Sequence, residues 1–226
     1  MSGSITLENR FGVNKMELIS LKYAIFVIVL LVLYYCFPKK YRWYVLLAGS
    51  MAYYVIICKW YVLFIIFTIC TTYGSTIWID KLLKKQNAIV KSHKEDWDRQ
   101  TRKEYKEKGR KKRVAVMLFA LLCNFGILAF LKYIPYAGEL GLLLPLGISF
   151  YTFQSMGYVM DVYREIVEPE KNFLKVALFV SFFPQIIQGP IAIYDKLAGQ
   201  LYEGHSLRLE NLQKGALLVL WGVMKK

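Results

Sequence analysis

The chain has 226 residues, of which 56% are hydrophobic and 16% aromatic, and its mean hydropathy of +0.35 lies well above that of a soluble domain of this length. These values exclude a soluble globular domain and place the chain among polytopic membrane proteins of the all-α class. The net charge of +14 is concentrated between apolar runs and not spread over a surface, which points to membrane topology and argues against nucleic acid.

Residues 1–17 form a short polar lead-in, and Leu18 to Phe37 is an apolar run long enough to cross a bilayer at about 1.5 Å per residue. It ends in Tyr34-Tyr35-Cys36-Phe37-Pro38-Lys39-Lys40 with no small-residue cleavage site, so it reads as a retained anchor. Lys39, Lys40 and Arg42 make a basic hinge before a second, short span from Trp43 to Cys58, where Lys59 is expected to snorkel. Tyr61 to Ile79 is the third span. The four cysteines, Cys36, Cys58, Cys70 and Cys123, all lie in apolar runs without Cys-x-x-Cys spacing, as small packed side chains would.

Asp80 to Arg113 is dominated by lysine and arginine, and the positive-inside rule assigns this basic loop to the cytoplasm. Two crossings separate it from the Lys39 to Arg42 hinge, which is also basic, so the assignments agree and put the N-terminus outside. Asp98 to Arg102, Glu104 to Lys108 and Glu107 to Lys111 have acid-first spacing that supports an exposed helix inside the loop. The loop reads either as a solvated helical connector near anionic headgroups or as a docking surface for an acidic partner such as a carrier protein. His93 and Asp98 share the spacing of an acyltransferase dyad, but no apolar pocket or oxyanion element accompanies them, and the pair is read as coincidence.

Val114 to Tyr133 is a fourth span, followed by a turn-rich segment with Pro135, Gly138 and Gly141. Leu142 to Met160 can then just cross inward. Helical winding puts Tyr151, Gln154, Tyr158 and Asp161 on one side of it and Phe153, Met156, Met160 and Tyr163 on the other. Hydroxyls, an amide and a carboxylate at membrane depth must face protein or a water-filled cavity. Asp161 lies three residues before Arg164, close enough for an ion pair at the cytoplasmic boundary. The run from Phe173 to Phe183 is too short to span and is interrupted by Pro184, Gln185, Gln188 and Gly189-Pro190. It reads as a broken or re-entrant helix lining a cavity, or as a kink packed on its neighbours. Ile191 to Gln213 is amphiphilic and interfacial, with His205 in a turn, and Gly215 to Met224 begins a further apolar run. That run stops at about half the length of a crossing, so the expectation is the N-terminal portion of a longer single membrane domain.

There is no G-x-S-x-G, P-loop, dinucleotide fingerprint or H-E-x-x-H. Pro145-Leu-Gly-Ile-Ser-Phe-Tyr-Thr-Phe-Gln154, with Gly157-Tyr158 and Asp161-Val-Tyr-Arg164, resembles the signature of the membrane-bound O-acyltransferase family. Phe182-Phe183-Pro184-Gln185 through Gly189-Pro190-Ile191 resembles that family's next motif, and the layout is similar to the branch of alginate O-acetylases and the D-alanyl transfer protein. The resemblance implies transfer of an acyl group, most often acetyl, to a hydroxyl of an extracellular glycopolymer, with Ser149, Tyr151, Gln154, Tyr158, Asp161, Arg164, Gln185 and Gln188 lining or bracing the transfer cavity. It implies no bound cofactor or metal, and an acyl donor, acetyl-CoA or an acyl carrier, reaching the basic loop. Implied partners are membrane lipids, a donor or carrier protein, and an extracellular acyltransferase. The family's essential histidine is expected beyond Lys226, since neither His93 nor His205 stands in a matching context, and the chain by itself is expected to be inactive. Ile193 stands near a position where relatives often carry arginine. The alternative is a non-enzymatic transporter or assembly subunit whose polar stripe handles solute.

Overall fold

The computed structural model describes residues 21–93, 97–133, 147–188, 192–206 and 209–224. Among these residues every regular element is helical. They are α1 (Leu21–Cys36), α2 (Arg42–Cys58), α3 (Val62–Ser92), α4 (Arg99–Tyr133), α5 (Ile148–Tyr163), α6 (Phe173–Ser181), α7 (Phe183–Gln188), α8 (Tyr194–Tyr202) and α9 (Leu209–Met224). Two helical stretches, Lys39–Ser92 and Arg99–Tyr133, contain segments long and apolar enough to cross a membrane. The first begins with tight turns: single 3-10 turns at Lys39–Tyr41 and Lys59–Tyr61 flank α2, and Lys59 takes a positive φ of 47° where the chain reverses into α3.

The core of the bundle is α3, α4 and α5, packed on one another, with α6 packed on α3 and α2 packed on α6. Side chains facing inward include small hydroxyl residues and aromatics beside aliphatic ones such as Ile65, Ile69 and Leu128. Thr68, Thr72, Ser75 and Thr76 bury one face of α3, and small residues let neighbouring helices approach closely where no hydrophobic driving force separates protein from lipid. The hydroxyls of Ser75 and Thr76 bond back to the preceding turn, to Thr72 O at 3.0 and 2.9 Å, which keeps these two satisfied without water. The outward faces of α1 and α4 carry apolar side chains such as Ile28, Val32, Phe119 and Leu122, all exposed.

The exposed helix expected within the basic loop forms, and it is one limb of a helical hairpin. α3 continues through Asp80 to Ser92, and α4 starts at Arg99, so only the short link between them is not helical. Lys, Leu, Gln and Ala are good helix formers, and the stretch after Asp80 contains neither glycine nor proline to stop it. At 31 residues, α3 is about 46 Å long, well beyond the roughly 30 Å of a hydrocarbon core, so its charged half projects out of the membrane. The expected pairs Glu104–Lys108 and Glu107–Lys111 do not close. Glu104 accepts from Gln100 Nε2 at 3.3 Å, and the i,i+4 pair that does form is Asp80 with Lys84 at 2.6 Å.

Gln86, 5% exposed, locks the hairpin. Its Nε2 donates to Lys106 O at 2.9 Å, and a Cβ on Gly109 would sit 2.5 Å from the Gln86 amide carbon. Gly109 is thus the point where α4 comes close enough for that bond. Gly109→Leu is expected to push Gln86 away and cost about 1–2 kcal/mol for the lost bond and stranded amide. Limited trypsin digestion should then cut the hairpin faster while the apolar bundle stays protected.

Candidate functional site

The first motif begins at a turn. Gly147 caps α5 with φ +69°, and its carbonyl accepts the first helical bond, from Tyr151 N at 3.1 Å. A side chain there would overlap the carbonyl oxygen of Ile186. Ile186 belongs to the second motif, so the two motifs meet backbone to backbone at this glycine. Periodicity marks the helix but not this contact; the glycine following Pro145-Leu146 is its only trace in the sequence.

The second motif is a broken helix, and the first motif repairs it. Phe182 has ψ 106° and turns the chain out of α6, and Pro184 brings no N–H. Such a break strands backbone groups that lipid cannot satisfy. The structure supplies partners from two neighbouring helices. Gln154 Nε2 donates to Phe179 O at 2.8 Å, and the Phe183 N–H donates to Ser50 Oγ at 3.4 Å. Both side chains are buried, at 3% and 0% exposure. Nothing near Ser50, on α2, marks in the sequence a partner more than a hundred residues away.

The break belongs to a re-entrant segment. Asn172 caps α6, its Oδ1 accepting from Leu174 N at 3.0 Å. After α7 the chain returns, and Tyr202 at the end of α8 donates its hydroxyl to Lys175 O near the start of α6 at 2.8 Å. The segment therefore leaves and re-enters the bundle at the same end. Tyr194 stacks on Tyr158 at 4.1 Å and meets Phe179 edge-on at 4.9 Å, so aromatic packing holds the return limb. Gly189, Pro190 and Ile191 lie outside the described residues.

The polar stripe of α5 is enclosed by protein. Tyr151 and Tyr158 are each 1% exposed; Tyr158 Oη accepts from Glu170 N at 2.8 Å, and the Tyr151 ring meets Tyr54 edge-on at 6.3 Å. Among the described residues, Tyr151 Oη, Tyr54 Oη, Ser155 Oγ and Thr72 Oγ1 are buried without a hydrogen-bond partner. They come from three helices, α5, α2 and α3, and buried hydroxyls left open in this way call for an explanation. Ser149 is half-buried at the start of α5. Gln185 is partly buried, with its Oε1 unpaired, and Gln188 ends α7 with its side chain outside the described ones. On the other side of α5, Met156 is 2% exposed and packs inside the core.

The inner end of α5 also differs from expectation. Asp161 and Arg164 form no ion pair. Glu165, at φ 63°, turns back towards α4 and accepts from Arg113 Nη1 at 2.9 Å. Arg113, 8% exposed, is the last cation before the apolar half of α4. This pair ties the end of the first motif to the base of the hairpin. His93 stacks on Trp97 at 4.9 Å and bonds to Ser92 and Ile89, not to Asp98. His205 is exposed, with its Nε2 against Gln200 O at 3.0 Å and its carbonyl accepting from Arg42. The lone-loop reading of His205 and the rejection of the His93–Asp98 dyad agree with this geometry. No disulfide joins the four cysteines; Cys58 is buried and Cys36 and Cys70 are exposed.

The chain is similar to proteins that move acetyl groups. It is 39% identical over 84 residues to the probable alginate O-acetylase of Pseudomonas syringae pv. tomato, covering 37% of this chain and 16% of that protein. The probable alginate O-acetylase of Pseudomonas putida is 33% identical over 109 residues, 48% of this chain and 21% of its own length. The peptidoglycan O-acetyltransferase of Helicobacter pylori is 30% identical over 148 residues, 49% of this chain and 28% of its own. These relatives are thus matched over only 16% to 28% of their length. No family model and no solved structure matches the chain. The resemblance to alginate O-acetylases read from the two motifs is borne out over these stretches.

Proposed function

We propose that this chain is part of a membrane O-acetyltransferase that carries an acetyl group from a cytoplasmic donor to a hydroxyl of an extracellular polysaccharide or cell-wall polymer. The observation that carries the reading is its similarity to O-acetyltransferases named for two different glycopolymers, alginate and peptidoglycan. The placement of the two motifs supports it. A re-entrant segment stitched to α5 by Gln154 and to α2 by Ser50 makes a fixed polar partition inside an otherwise apolar bundle.

Acyl transfer to a hydroxyl needs a shielded path, hydrogen-bond donors for the developing oxyanion, and a general base. In this reading the open hydroxyls of Tyr54, Tyr151 and Ser155 are the donors, aimed at an acyl group passing between α2, α3 and α5. Gln154 and Tyr158 brace the wall from behind, because their polar atoms are already committed to Phe179 O and Glu170 N. The base is assigned outside this chain, since His93 and His205 are exposed and engaged away from the polar stripe. The basic hairpin and the Lys39 to Arg42 hinge face the cytoplasm, where a coenzyme or carrier donor would arrive, and an extracellular acyltransferase would take over on the other side.

The test is transfer of radiolabelled acetyl groups to polysaccharide in membranes containing either this chain alone or the product of its full gene. Background transfer with the chain alone and measurable transfer with the full product are expected. No transfer by the full product, or solute flux in its place, overturns the enzyme reading; full transfer by the chain alone overturns the placement of the base.

A further inference from the structure

The helix break has an open outer side. Phe182 to Pro184 form one wall of a groove of about 390 Å³, opposite α1 from Val27 to Tyr35, with Leu197 of α8 and His205 beyond it completing the lining. Leu31, 40% exposed, leaves the groove open to the side. The stretch of α1 that it follows is about 12 Å long at about 1.5 Å per residue. That is close to the roughly 15 Å depth of one leaflet, half of a hydrocarbon core of about 30 Å. An apolar groove of this length, running in from one end of α1, has the dimensions of a single acyl chain.

Its polar end separates it from other apolar surface such as Phe119 and Leu122 on α4. Arg42 lies there, its guanidinium over the rings of Tyr34 and Tyr35 at 5.3 and 5.1 Å. Its Nε donates to Phe37 O at 3.0 Å and its Nη1 to His205 O. Both acceptors are neutral carbonyls, so Arg42 keeps its charge for a further partner. Lys39 and Lys40, just before it, are exposed. The turn after α8 is clamped to this hinge, since a Cβ added to Gly204 would sit 2.6 Å from Lys39 O. That contact fixes the hinge at the mouth of the groove. Glu203, exposed on the same turn, sets one negative charge against the three positive ones, and the mouth stays net positive.

We propose that this groove holds one acyl chain of an anionic glycerophospholipid, its phosphate drawn to Lys39, Lys40 and Arg42 and its chain laid against the helix break. Charge supplies the preference among lipids, and buried chain length supplies the hold. The site stands independently of the acyl-transfer reading, because it needs only the groove and the cations at its mouth.

The experiment is electron spin resonance of chain-labelled phosphatidylglycerol and phosphatidylcholine in membranes containing the full gene product. A motionally restricted population that favours phosphatidylglycerol about fivefold or more is expected, about the factor that one basic residue near a membrane surface supplies. Lys39→Gln with Lys40→Gln should remove most of that preference. Lys108→Gln with Lys111→Gln, on the hairpin, should change it less than about twofold, since exposed charges away from the groove are screened. Leu31→Trp, which fills the groove, should lower the restricted phosphatidylglycerol, whereas Leu33→Trp, two residues further round the helix, should not. Phosphatidylglycerol should also raise the thermal midpoint above that in phosphatidylcholine, by linkage. The Lys39 and Lys40 variant should lose that rise, which keeps the test readable if Leu31→Trp disturbs the fold. Equal association of the two lipids, equal losses from both lysine pairs, or equal effects of the two tryptophans each overturns the proposal. So does displacement of the labelled lipid by glycerol phosphate, which has no chain, or a groove closed to lipid in which Leu31→Trp instead separates a dimer.

Discussion

Gly147→Ala is expected to destabilise the bundle by about 3 kcal/mol or more, an effect out of proportion to one methyl group. Two costs add. The left-handed backbone, φ +69°, disfavours any L side chain by roughly 1–2 kcal/mol. The new Cβ then falls on the Ile186 carbonyl, a backbone group that cannot swing aside as a side-chain end can. For a chain of this size the thermal midpoint in detergent should drop by roughly 6–12 °C. Gly157→Ala supplies the control within the same helix: Gly157 is exposed and an added Cβ meets nothing within 4 Å. There the gain in helix propensity, up to about 1 kcal/mol, should leave the protein unchanged or slightly more stable. Truncating the partner, Ile186→Ala, should not rescue Gly147→Ala, because the overlap is with main chain. Equal midpoints for the two glycine variants would show that the motifs do not meet here.

Gln154→Leu is expected to have the next largest effect. Hydrogen bonds between membrane helices average only about 0.6 kcal/mol, because the partners find others once separated. This bond differs, since its acceptor has no alternative. Phe182 has turned the following amide away to Ser50, so without Gln154 the Phe179 carbonyl is left bare inside the protein. A buried unsatisfied carbonyl costs about 1–3 kcal/mol, and the upper half of that range applies here. The readout that separates this from general core damage is protease and hydrogen-exchange protection of residues 176–188, which should fall before the rest of the bundle opens. Ser149→Ala, a hydroxyl of the same motif that is half-buried, should leave that protection intact. Loss of protection everywhere at once would mean that Gln154 is ordinary packing.

Much of this architecture is legible in the residues alone. The apolar runs from Leu18 to Phe37 and from Val114 to Tyr133 coincide with helices, apart from residues outside the described ones. The short run ended by Pro184 is indeed a helix break, because proline acts through its own covalent structure and needs no tertiary partner to be recognised. The basic segment was legible as a charged, partly helical connector, whereas its first limb as an unbroken continuation of α3 was not. Charge located it correctly between two spans, but charge density says nothing about whether a polar segment is helical or a loop; its helix formers do, and they continue α3 to Ser92. The expected Asp161–Arg164 pair failed for a related reason. Spacing of three allows contact without requiring it, and the reversal at Glu165 gives Arg113 the nearer carboxylate.

The sequence by itself determined that this is a helical membrane chain, where its charged belt lies, and which two motifs matter, since hydropathy, charge clustering and proline act locally and can be read locally. Only the tertiary structure decided what those motifs do to each other. Gly147 against Ile186, Gln154 on Phe179 and Ser50 on Phe183 join residues far apart in the chain. The physical reason is that a backbone broken inside lipid must be satisfied by whatever the fold brings alongside, and which side chain that is depends on packing and not on sequence distance.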